Sequence, residues 1–321
     1  MPTTRPITFG AFVPQGWKTE LVDIDGAEAK WSKAVEIAEL AESLGYDSIW
    51  VYDHFHNVPR PAHEAVFECW TTLAALSQRT SRVRLGQMVG CAPYRNPGLL
   101  AKITSNIDVM SGGRLDWGIG AGWYQHEFTG YGYPFLANKD RIRVLRETVE
   151  IVRSMWTEPD TSYDGKFFTL QGAQNDPKPL QDPHPPILIG GGGEQLTLRV
   201  VARLADRSNF GGKPDEFTHK AEVLQQHCKD VGRDYDEIEK TWSPELLVRD
   251  TDDELRAIGS TFGEPFDSWQ AGNLVGTPEQ VSERIQQYVE LGCTSFLPWH
   301  RDYPGTETLT RFAEEVVPNF R

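Results

Sequence analysis

The sequence predicts an α/β fold, a (β/α)8 barrel of the TIM type with loop insertions, and three observations point to it. Short apolar strands alternate with helix-period segments from end to end. The run Leu44-Gly45-Tyr46-Asp47-Ser48-Ile49-Trp50 is echoed by Leu291-Gly292-Cys293-Thr294-Ser295-Phe296-Leu297, each reading as helix end, glycine, two residues, serine and buried strand. The 321 residues, 39% of them hydrophobic, suit one large α/β domain spanning 1–321. Repeated strand-helix units require parallel pairing with right-handed crossovers, and eight of them close into a barrel. An open, doubly wound sheet is the alternative, but the chain shows no reversal point.

The first half of the chain is regular. Residues 7–13 form a strand, and Ala34, Val35, Ala38, Ala41 and Leu44 recur at helical spacing until Gly45 closes the helix. A strand at 48–52, a helix at 65–76 and a strand at 83–89 follow. Asn96 caps the next helix and Pro97 opens it, with Leu100, Ile103, Ile107 and Met110 on one face and Gly112 and Gly113 at its end. Residues 115–120 make a fourth strand, and Ile142, Leu145, Val149, Val152 and Trp156 mark a fourth helix.

The second half is less regular. Residues 157–186, rich in Pro, Gly, Asp and Gln, read as an insertion with a hairpin at 161–170. A strand at 187–189 runs into Gly190, Gly191, Gly192 and Gly193, and a helix opens near Glu194 and reaches Arg203. A strand near 205–210, a helix at 215–231 and a strand near 241–248 come next, whereas 251–273 receives no element. Thr277, Pro278 and Gln280 supply an N-cap, a first-turn proline and a capping box for a helix ending at Leu291, ahead of strand eight.

Composition narrows the function. Lys and Arg total 32 against 46 Asp and Glu, and a net charge of −14 repels phosphate backbones and anionic membranes, so neither nucleic acid nor a membrane is an expected partner. No eighteen apolar residues run together, and residues 1–6 carry no leader pattern. Cys69, Cys91, Cys228 and Cys293 form neither CxxC nor zinc-finger spacing and read as reduced thiols, so the expected location is cytoplasmic.

A barrel keeps its chemistry in the loops at the carboxyl ends of its strands. Four such loops carry candidates: Asp53, His54, Phe55 and His56; Gly90, Cys91 and Ala92; Gly120 to His126; and the four glycines. Gly190 to Gly193 let backbone N–H groups approach an anion, and the following helix adds its positive dipole end, so a phosphate fits there. The plain alternative is a flexible turn. Asp53 can fix a polar ring edge of a cofactor, while the imidazole of His54 can move a proton. Taken alone, the pair reads equally well as structural. His54 and His56 also make an HxH pair, which suggests a metal-dependent barrel hydrolase as a competing reading. The later histidines, His126, His184 and His300, come without a matching ligand set.

Together these residues resemble a known family. Tyr52-Asp53-His54-Phe55, Leu85-Gly86-Gln87-Met88-Val89 with Tyr94-Arg95-Asn96-Pro97, Ser111-Gly112-Gly113-Arg114, Gly118-Ile119-Gly120-Ala121-Gly122-Trp123 and the run from Ile189 to Gly193 resemble the luciferase-like oxidoreductases, in order along nearly the whole chain. In detail the pattern is similar to actinobacterial probable F420-dependent oxidoreductases. The resemblance implies a barrel with insertions, usually dimeric, hence a homodimer, acting on a small molecule.

It further implies an enzyme that carries hydride on coenzyme F420, with FMN and a monooxygenase activity as the alternative, and a non-enzymatic cofactor binder as a third reading. By the same resemblance Asp53 contacts the deazaflavin ring and His54 stands beside its hydride-carrying carbon as the catalytic residue. Met88 and Val89 are joined by a non-prolyl cis bond behind the ring, although ordinary strand packing is the other reading of this pair. Cys91 meets the cofactor, His126 lies near one of its polar groups, and Gly190, Gly191, Gly192 and Gly193 hold its phosphate. Trp123 departs from the sugar-phosphate dehydrogenases of this group, which carry a catalytic glutamate there. It is expected to wall an apolar substrate pocket or to be a packing tryptophan. No metal site is expected.

Overall fold

The computed structural model describes residues 5–259 and 265–321. Eight parallel strands close on themselves: β1 (Thr8–Phe12), β2 (Ser48–Val51), β3 (Arg84–Gln87), β4 (Leu115–Gly120), β5 (Ile187–Gly190), β6 (Arg207–Asn209), β7 (Glu239–Trp242) and β8 (Cys293–Phe296). Each pairs with the next in sequence, from Gly10↔Ser48 and Leu85↔Leu115 onward, and β8 returns to β1 at Thr8↔Ser295. The expected barrel is there, and the open-sheet alternative falls because the edges are joined.

The surrounding helices include α1 (Ala27–Ser43), α2 (Cys69–Ser77), α3 (Pro97–Ser111), α4 (Asn138–Thr157), α5 (Thr197–Leu204), α6 (Pro214–Val231) and α7 (Pro278–Glu290). Local chemistry starts them where expected. Asn96 accepts from the Gly98 N–H at 2.8 Å to open α3, and Thr277 and Gln280 form a reciprocal capping box at α7. The two echoed turns match as well. Gly45 (φ 89°) and Gly292 (φ 92°) both take the left-handed conformation that turns helix end into strand.

Inside the barrel, size complementarity decides the packing. Trp50 is fully buried and donates from Nε1 to Ser48 Oγ at 2.8 Å. A Cβ on either Gly10 or Gly86 would run into it. Two glycines on the flanking strands therefore make the space that one tryptophan fills.

The structure departs from the sequence reading in five places. The stretch 83–89 is not one strand: after β3 comes a cis Met88–Val89 bond, and Gly90–Cys91 then pairs with the end of β4. The hairpin is longer than 161–170, pairing Asp160–Asp164 with Thr169–Gln174, and its turn is fixed by buried Glu147, which accepts from Lys166 N (3.0 Å) and Phe167 N (2.9 Å). Helix α5 opens at Thr197, three residues later than Glu194. The stretch 241–248 is two strands. Pro244, which has no N–H to donate, follows β7, and Glu245–Val248 leaves the barrel to pair with Leu274–Gly276 and Trp299–His300 in a separate parallel sheet. Within 251–273, helices Asp252–Gly259 and Phe266–Gly272 are present, while 260–264 lie outside the described residues. No helix among the described residues is long and apolar enough to cross a membrane.

Candidate active site

The carboxyl ends of β1 to β6 surround a cavity of about 460 Å³. All four loops singled out in the sequence contribute to it. A polar groove of about 550 Å³ near Asp267 and Arg284 gathers none of them and offers mainly amide and carboxylate side chains.

The cavity floor is set by the cis Met88–Val89 bond. The Val89 side chain rests on strand ends that lack side chains: a Cβ on Gly120 would stand 2.6 Å from Val89 Cγ2, and one on Gly190 would stand 2.9 Å from Cγ1. Gly118, below, has no room for a Cβ against the Gln87 carbonyl. The glycines of Gly118-Ile119-Gly120 thus seat the bulge at Met88–Val89, and Met88, Val89, Gly90 and Cys91 line the cavity.

His54 stands at one wall, its ring stacked on Trp17 at 4.2 Å with an interplanar angle of 2°. Its Nδ1 lies 2.8 Å from Glu127 Oε2. Glu127 is fully buried on the short helix Gln125–Gly130, and it also accepts from Tyr94 Oη (2.8 Å), Phe55 N (2.6 Å) and His56 N (2.9 Å). Burial alone would raise the Glu127 carboxyl, but the hydrogen bond and charge of His54 and the two backbone donors outweigh it and hold the group below its ordinary value. Glu127 is therefore a carboxylate, which only accepts. Nδ1 of His54 must carry the proton, and Nε2 is the nitrogen left for chemistry in the cavity.

Asp53 also lines the cavity, but its carboxylate has other work. Arg95 grips it at 2.6 and 2.9 Å through both terminal nitrogens, and the Cys91 N–H donates to it at 2.8 Å. Arg95 continues to Glu68 Oε1 at 2.7 Å, the carboxylate that caps α2. Asp53 thus ties the end of β2 to the floor and to α2. Cys91 lines the cavity as a buried thiol, kept protonated by burial and the Asp53 charge.

Gly190, Gly191 and Gly193 line the opposite side, together with Thr197 and Asn209. Gly191 (φ 120°) uses its N–H on the Asn209 carbonyl at 2.9 Å. A Cβ on Gly193 would press on Thr197 Oγ1 at 2.8 Å, so the glycine keeps this hydroxyl at the helix start clear. Gly192 is not in the lining and has the Lys220 side chain at its back. His126 also stays outside: its Nδ1 meets His56 Nδ1 at 2.8 Å on the surface. The HxH pair does not converge either, since His54 faces Glu127 and His56 faces His126. Among the described residues no group of three or more His, Cys, Asp or Glu is arranged to hold a metal. Trp123 lines the cavity with 61% of its surface exposed, so it is not a buried packing residue.

The model of the luciferase-like monooxygenase family matches residues 8–263. The chain belongs to this family. It is 28% identical to an F420-dependent glucose-6-phosphate dehydrogenase of Amycolatopsis mediterranei, over 89% of this chain and 94% of that protein. It is 24% identical to an FMNH2-dependent dimethylsulfone monooxygenase of Pseudomonas putida, over 99% and 96%. An F420-dependent secondary alcohol dehydrogenase, solved with an F420-acetone adduct, shares the fold at TM-score 0.83 and 20% identity, covering 99% of this chain and 100% of its own. Luciferase-like proteins are thus an oxidoreductase family with deazaflavin-using and flavin-using members.

Several residues of this luciferase-like site escaped the sequence reading, among them Trp17, Arg95, Glu127, Arg141 and Thr197. Glu127 left a signal, a single carboxylate in the aromatic stretch after β4, four residues beyond Trp123. Arg95 stood inside the Tyr94 to Pro97 motif, but nothing in the sequence pairs it with Asp53, 42 positions away. Trp17 and Arg141 are brought in only by the fold.

Proposed function

We propose that this chain is an F420-dependent oxidoreductase that moves hydride between the deazaflavin and a small organic molecule, with His54 as the proton carrier. The observation that carries this reading is the His54–Glu127 pair, which engages Nδ1 and leaves Nε2 of a cavity-lining histidine for chemistry. The residues suit such a group. A planar ring suits the space over Met88 and Val89, and the Gly190 to Gly193 turn with Thr197 offers the backbone and hydroxyl donors a phosphate needs. When bound, the deazaflavin supplies or accepts the hydride. Asp53 holds the floor in place through the Cys91 N–H, Cys91 itself packs there as a neutral thiol, and His54 gives or takes the proton at Nε2. His126 and Gly192 act from behind the lining, His126 through His56 and Gly192 through the shape of the turn.

The second reading, an FMN-dependent monooxygenase, is favoured by the Pseudomonas putida relative, which matches over nearly the whole chain. Parallel titration with F420 and FMN, followed by absorbance, separates the two. Tight F420 binding with negligible FMN binding is expected, and the reverse, with oxygen uptake on reduced flavin, overturns the F420 reading. The working form in this proposal is a cytoplasmic homodimer. The family resemblance supports the dimer, the four unpaired cysteines support the compartment, and light scattering in solution tests the former.

A further inference from the structure

His54 sits inside an enclosure of aromatic rings. Trp17 stacks on one face, Trp123 meets the ring edge-on at 5.8 Å, Tyr124 stands at 6.1 Å and Tyr52 at 6.5 Å. Trp123 and Tyr124 are themselves stacked at 5.1 Å, which makes a continuous apolar wall beside the proton-carrying nitrogen. Trp123, mostly exposed, is the part of this wall with surface still to cover.

The charges in the cavity are few and committed. Of the lining side chains, Asp53, His54 and Arg141 can be ionised with the cavity's tyrosines and Cys91 set aside, and Asp53 is neutralised by Arg95. Among the described residues Arg141 is the only Lys or Arg in the lining. It already donates to the Leu136 carbonyl (2.6 Å) and the Gly122 carbonyl (3.3 Å) and lies 4.3 Å over the Phe135 ring. Arg141 is thus turned to backbone carbonyls and an aromatic ring, and among the described residues the lining offers no further Lys or Arg for a phosphate beside His54.

We infer that the substrate is an uncharged apolar alcohol or carbonyl compound carrying a ring, and that this chain does not act on a phosphorylated sugar. The inference rests on the oxidoreductase reading above and sets this chain apart from its glucose-6-phosphate dehydrogenase relatives. An apolar ring gains by stacking on Trp123 and Tyr124 while its oxygen faces His54. A dianionic phosphate there loses its water without gaining a partner.

The test is a binding measurement that needs no turnover. Calorimetric titration of the cofactor-loaded protein, using whichever of F420 or FMN binds, is run with 1-tetralone and with glucose 6-phosphate. Tetralone is expected to bind at least about tenfold more tightly than the sugar phosphate, and Trp123→Ala to weaken tetralone about tenfold while cofactor affinity changes less than about twofold. Equal or tighter binding of glucose 6-phosphate, no detectable tetralone binding, or unchanged tetralone affinity in Trp123→Ala overturns the inference. Failure of F420 to bind is read in the separate cofactor titration and counts against the proposed function instead.

Discussion

Glu127 accepts the Nδ1 proton of His54 at 2.8 Å from a position with no solvent exposure, so the histidine presents one defined tautomer to the cavity. If His54 moves the proton, His54→Ala lowers turnover by roughly a hundredfold or more while cofactor affinity stays nearly constant. Steady-state kinetics beside a cofactor titration check both halves. Full turnover in a folded variant removes the catalytic assignment.

Glu127→Gln probes the same pair from the other side. The amide can donate as well as accept, so it no longer forces the proton onto Nδ1. Turnover is expected to fall by about ten- to a hundredfold, and the pH profile of kcat to move, with KM little affected. A merely structural Glu127 would lower the melting temperature and leave the pH profile in place.

Asp53→Ala leaves Arg95, which is largely buried, with Glu68 as the remaining one of its two carboxylate partners. Removing one partner of such a pair typically costs about 3–5 kcal/mol, so the variant should melt well below the parent protein and bind cofactor weakly because the floor at Cys91 is no longer tied down. An Asp53→Ala protein with parental stability and poor cofactor binding would instead return Asp53 to direct contact with the cofactor ring.

The glycines under Val89 give a prediction with its own control. Gly118→Ala sets a methyl against the Gln87 backbone carbonyl and is expected to destabilise by roughly 1–3 kcal/mol or more, whereas Gly211→Ala, with nothing within 4 Å of the new atom, should be nearly neutral. Equal melting temperatures for the two variants would contradict the seating described for the bulge.

His300 supplies a pH dependence away from the site. It is fully buried between Tyr46 Oη (3.2 Å at Nε2) and Tyr303 Oη (3.1 Å at Nδ1), and burial lowers its pKa from 6.5 to about 4 against a smaller opposing pull from Asp302. The folded state therefore prefers neutral His300. Stability from this source is full above pH 6.5 and is lost as the pH falls toward 4, by roughly 3 kcal/mol in all. Thermal melts between pH 7 and 4 should fall more steeply for the parent than for His300→Gln.

The barrel was legible because its signals are local: strand and helix periods, the Asn96 and Thr277 caps, and the two turns at Gly45 and Gly292. The cavity loops were legible for the same reason. What stayed hidden depends on contacts between distant positions. Nothing local pairs Asp53 with Arg95, 42 positions on, or His56 with His126, 70 positions on. The break at Pro244 was visible as a proline, but the sheet that Glu245–Val248 joins is completed by strands about 30 and 55 residues further on.

That small sheet has a consequence for access. Among the described residues none after Asn209 lines the cavity, and beyond β7 and β8 the chain forms a separate sheet of three parallel strands instead. The wall around His54 is therefore one-sided, built from the first six strand ends, and on the stretch after β4 the aromatic side chains Trp123, Tyr131 and Phe135 keep much of their surface open to water.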